Sequence, residues 1–111
     1  MKRISISILL FLLLTSCKKD PRNIIVKDLK TPCECVEAMN EIYKEMVVLR
    51  DGKDLETFLL VNRKDYNDFL ILHEKATQIK DLTSIRNYSE TELQVCPDLM
   101  EMMDNYRRAE D

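Results

Sequence analysis

A single glycine, Gly52, serves a chain of 111 residues, alongside three prolines, Pro21, Pro32 and Pro97. Tight turns and β-hairpins draw on glycine, proline and asparagine where special backbone angles are required, and a small β domain needs many such positions. The chain is rich instead in Leu, Glu, Lys, Met and Ile, and has no tryptophan. Most of these residues lose little rotamer freedom on entering a helix. The sequence therefore predicts an all-α fold.

Apolar spacing divides that helix content. Thr31 is a good N-cap, Pro32 suits the first helical position, and Glu34 stands where a capping box needs it. Cys35, Met39, Ile42, Met46 and Leu49 then follow at spacings of four and three, flanked by Val36, Tyr43 and Val47. Asp51-Gly52 ends this helix, with Gly52 suited to the left-handed cap. A second helical region covers Asp54 to Lys80, with Phe58, Val61, Phe69, Leu72, Ala76 and Ile79 as its stripe and a break near residue 62. Leu59, Leu60, Leu70 and Ile71 lie off the stripe; they either form an exposed patch or complete the core, and the small size of the domain favours the core. Residues 81–88 read as a loop. Ser89 and Glu92 form a capping-box pair for a short turn, and Pro97 restarts a final helix whose core face is Leu99, Met102, Met103 and Tyr106. Three stripes joined by short connections predict an antiparallel up-down-up three-helix bundle over residues 32–111.

Residues 1–16 read differently. Lys2 and Arg3 precede an apolar run of 11 residues, Ile4 to Leu14, whereas a helix needs about 20 to cross a bilayer. A basic start, a short apolar core and small residues mark a cleaved export leader. The segment closes on Leu14-Thr15-Ser16-Cys17. It resembles the type II signal peptide of bacterial lipoproteins, and Cys17-Lys18-Lys19-Asp20 is similar to the opening of small lipoproteins of Bacteroidota. The resemblance implies cleavage before Cys17, covalent lipid on Cys17 and attachment to a membrane. Lys18 stands where inner-membrane lipoproteins often carry Asp, so the resemblance points to the outer membrane. It supplies no activity and no cofactor beyond the lipid. The alternative is an ordinary signal peptide, with Cys17 a bystander.

Charge is unevenly divided after such processing. Residues 18–30 hold five basic side chains against two acidic ones, whereas residues 31–111 hold ten basic against 18 acidic. Residues 17–31 thus read as a basic, flexible tether, attracted to an anionic lipid surface that repels the acidic body. An acidic body argues against nucleic acid as a partner. It suits a basic protein, with Glu41, Glu45 and Glu101 as candidate contacts.

With Cys17 carrying lipid, Cys33, Cys35 and Cys96 remain, and outside the cytoplasm at least one disulfide is expected. Parallel first and third helices bring the starts of both to one end of the bundle. Cys35 lies on the apolar stripe and Cys33 about 160° away from it. The expected bond is therefore Cys35–Cys96, with Cys33–Cys96 as the variant. Cys33 would then be a spare thiol, made reactive by a helix N-terminus in a redox reading.

The other chemistry-bearing residues point elsewhere. Zinc would need His73 beside the three cysteines, yet His73 sits roughly three turns away along an antiparallel helix. Cu(I) could use Met100, Met102 and Met103 with Met39 and Met46, but methionines at this spacing are usual in helical cores. His73 is the one obvious general base near neutral pH, and no nucleophile elbow or phosphate loop accompanies it. The pairs Asp65/Asp68 and Glu101/Asp104 are spaced like solvated helix faces. The expectation is a non-catalytic, membrane-anchored binding or envelope module, with no metal and no small-molecule substrate. The alternative is a thiol-redox or Cu(I)-handling protein using Cys33, Cys35 and Cys96.

Overall fold

A computed structural model describes residues 20–61 and 63–110. The leader and the lipidation expected at Cys17 lie outside the described residues, as do the side chains of Leu59 and Val61.

Helix α1 runs from Pro32 to Arg50. The Thr31 hydroxyl accepts the Glu34 amide at 3.1 Å, satisfying one donor that the first turn leaves open. Glu34 reaches one residue further back than a capping box would, accepting the Lys30 amide at 2.9 Å. At the far end Asp51, not Gly52, takes the left-handed cap at φ 49°, and Gly52 continues in the same region at φ 72°.

The second helical region is two helices, α2 (Leu55–Val61) and α3 (Arg63–Ile85). Helix α3 continues through most of the stretch expected to be a loop. Leu82 packs against the core there, and Asn87, at φ 58°, turns the chain beyond the helix end. Ser89 and Glu92 form the expected capping box on the short helix α4 (Glu90–Gln94). Helix α5 spans Leu99–Glu110, just beyond Pro97.

The three long helices run up, down and up. Cys33 and Cys96 join the starts of α1 and α5, while the Arg50 guanidinium donates to the Ala109 carbonyl at their ends. Beyond the end of α3, the Tyr88 hydroxyl donates to the carbonyl of Lys30, just ahead of α1. Among the described residues the secondary structure is helical throughout.

One core results. Cys35, Met39, Ile42, Tyr43 and Met46 of α1 are buried with Phe58 and with Phe69, Leu72, Ala76 and Ile79 of α3. Helix α3 buries this single stripe, so the neighbouring Leu70 and Ile71 are exposed, as is Leu60 on α2. These three residues do not complete the core.

Helix α5 is rotated by one position from the expected face. Asn105 and Ala109 are buried with Met102 partly covered, whereas Met103 and Tyr106 are exposed. The reason is a polar pair inside the bundle: the Asn105 amide donates to the Asn40 carbonyl oxygen at 2.9 Å, and both side chains are buried.

Candidate functional site

The stretch read as a flexible tether is, from Asp20 onward, a strap bound across the bundle. Asp20 caps a 3-10 turn, Pro21–Asn23, by accepting the Arg22 amide at 3.0 Å. A second 3-10 turn follows at Val26–Asp28. Ile24, Val26 and Leu29 pack against the core, which is why the strap lies down.

Polar contacts then fix its path. The Lys75 ammonium donates to the carbonyls of Arg22 and Ile24 at 2.6 and 2.7 Å. The Arg22 guanidinium pairs with both Asp20 and Asp68, each at 2.8 Å. Its hydrogen bonds hold the Asp20 carboxyl below the usual carboxylate value. Further along, Arg86 donates to the Leu29 carbonyl.

Between the strap and α1 lies a groove of about 680 Å³. Glu34, Glu37, Ala38 and Glu41 line one side, at spacings that place them on a single face of α1. Ala38 is small and buried and leaves room for the floor, while Ile24, Ile25 and Leu29 supply an apolar wall from the strap. Asp28 adds a fourth carboxylate opposite the helix. The result is an apolar trough with an acidic rim.

The cysteines pair differently from the first expectation. Cys33, not Cys35, bonds Cys96, with the α-carbons 5.2 Å apart. Cys35 is a free thiol with no exposed surface. Its helical phase sets it on the apolar stripe and so aims it into the bundle centre, whereas Cys96 arrives at the rim where Cys33 stands. Cys33 is therefore not a spare reactive thiol. Burial pushes the Cys35 thiol up, away from the thiolate a nucleophile needs.

The remaining candidates are dispersed. His73 stands near the opposite end of the bundle, its Nε2 3.3 Å from Glu110 at the close of α5. Met39 and Met46 are buried, whereas Met100 and Met103 are exposed. Among the described residues, no three His, Cys, Asp or Glu side chains gather closely enough to hold a metal ion. Asp68 is engaged by Arg22, and Asp104 by Arg107 and Arg108. Of the acidic trio proposed for a basic partner, Glu41 and Glu101 share Lys44, at 3.7 and 3.1 Å. Only Glu41 of the three lines the groove.

Sequence reasoning missed the strap's part in this site. The signal available was the apolar run Ile24-Ile25-Val26 inside an otherwise polar stretch. Among the described residues, no helix is long and apolar enough to cross a membrane. Comparisons with family models, curated proteins and solved structures found no match for the chain.

Proposed function

We propose that this chain is a lipoprotein of the bacterial cell envelope, anchored through Cys17, whose helical domain is a non-catalytic binding module for a basic protein partner. The observation that carries the binding half is the apolar groove rimmed by Asp28, Glu34, Glu37 and Glu41. Such a surface attracts positive charge and offers apolar contact beneath it. The anchoring half rests on the leader and the Leu-Thr-Ser-Cys sequence. Lys18 after the lipidated position supports the outer membrane, through the resemblance to lipoproteins that lack Asp there.

The docked strap is consistent with a module working close to a membrane. Only residues 18 and 19 separate Cys17 from Asp20, and three steps of extended chain reach about 11 Å. A lipid on Cys17 would therefore hold the bundle beside the headgroups. The thiol-redox alternative draws no support from a buried Cys35 beside a closed Cys33–Cys96 bond.

Metabolic labelling with a palmitate analogue tests the anchor. Label is expected on the native chain and absent from Cys17→Ser, with a matching move out of the membrane fraction. Label retained by Cys17→Ser would exclude that attachment site.

A further inference from the structure

We infer that the groove between the strap and α1 is the docking site for a cationic peptide segment with an apolar face; this rests on the binding-module reading and gives it a location. Glu34, Glu37 and Glu41 form a row along α1, with Asp28 facing them from the strap, and among the described residues no basic side chain lines the groove. Among the described residues, the side-chain carboxylates of Asp28 and Glu37 have no hydrogen-bonding or ion-pair partner, although the Asp28 backbone amide donates to the Ile25 carbonyl. Glu41 meets Lys44 at 3.7 Å, but this is an exposed pair of a kind that contributes little and exchanges readily.

The spacing of these charges selects the ligand class. They are strung along the trough, and no three gather closely enough to hold a metal ion. A row of separated carboxylates matches a row of ammonium or guanidinium groups on one chain. The lining between them is apolar, formed by Ile24 and Leu29 of the strap wall and by Ala38, and suits the aliphatic side chains of the same segment. Ile25 stands at the edge, 54% exposed, where a ligand would cover it. Lys75 and Arg86 hold the strap wall in position by its carbonyls, so little ordering remains to be done on binding.

The test uses the processed, lipidated protein in zwitterionic nanodiscs, with empty discs as reference. The probe is a fluorescent synthetic peptide of Leu and Lys at helical spacing, about four turns long. Asp28→Lys combined with Glu37→Lys is expected to weaken binding roughly tenfold. Glu56→Lys combined with Glu74→Lys makes the same change in net charge at exposed residues outside the groove, and is expected to weaken it less than about threefold. Equal weakening by both pairs, or equal affinity for a peptide with Glu in place of Lys, overturns the inference. Should the groove pair lose its helical circular dichroism, Ile25→Ser tests the apolar contribution instead; unchanged affinity there overturns it too. If the native protein ignores the peptide but forms a dimer that the groove substitutions abolish, the occupant is a second copy and the inference falls. Absence of lipid on Cys17 would sink only the anchoring proposal, since peptide affinity can then be measured on the same chain in buffer.

Discussion

Asn105 and Asn40 face each other where a helical bundle normally places two apolar side chains. Their hydrogen bond satisfies both in the interior, and removing one partner strands the other. Asn105→Ala is expected to lower stability by about 1–3 kcal/mol in chemical denaturation, while replacing both with Leu should be near neutral. The pair also explains what periodicity could not reveal. An asparagine does not register as core in apolar spacing, so spacing alone puts the face of α5 at Met103 and Tyr106. Tyr106 still contributes from the rim: its ring meets Tyr43 edge-on at 5.1 Å, with the Lys80 ammonium 4.4 Å from its centroid. For Tyr43, burial pushes the hydroxyl far above its ordinary value, in keeping with a wholly interior ring. Cys35 teaches a related lesson, because a residue correctly placed on the core stripe is thereby removed from bonding at the bundle's edge.

Among the elements, the strap is the one whose stability can be separated from the rest. Lys75 makes two charge-assisted hydrogen bonds to its backbone, so Lys75→Met is expected to reduce the local opening free energy by about 1–3 kcal/mol. Hydrogen exchange should quicken at residues 22–26 while the amides of α1 stay protected. Acid should act on the same segment. The folded Asp20 carboxyl lies below its ordinary value of 3.8 because Arg22 hydrogen-bonds it. Its contribution is therefore fully present above that value and is lost as pH falls through the lowered folded one. Trypsin cannot report this in acid, but exchange at the Arg22 amide, followed downward from pH 5, should show the strap loosening before the core. Pro21 and the apolar run 24–26 made this element partly visible in the sequence. Its anchoring was not visible, because the bonds run from distant lysine and arginine side chains to backbone carbonyls, which leave no pattern in the residues that receive them.

For the whole molecule, the topology was the most legible property. Scarce turn residues, three apolar stripes and short connections admit few arrangements, and the parallel pairing of α1 with α5 followed from them. The bond that joins these helices closes a separation of 63 residues, which the chain-entropy model equates to about 4 kcal/mol. Cys33→Ser and Cys96→Ser should therefore each lower the unfolding free energy by about 2–4 kcal/mol. Cys35→Ser should instead act through core packing and leave the disulfide intact by mass.

The grip of Lys75 and Arg86 on carbonyl oxygens has a consequence for how such a molecule can change. It recognises the path of the strap and is indifferent to the side chains the strap carries. Ile25, Lys27 and Asp28 are exposed on that path, so substitutions there should alter unfolding free energy by less than about 0.5 kcal/mol, a range that thermal and chemical melts can check. One wall of the groove can thus be rewritten while the scaffold stays the same, much as a binding loop varies on a constant frame. Selection acting on this surface would meet little resistance from the fold.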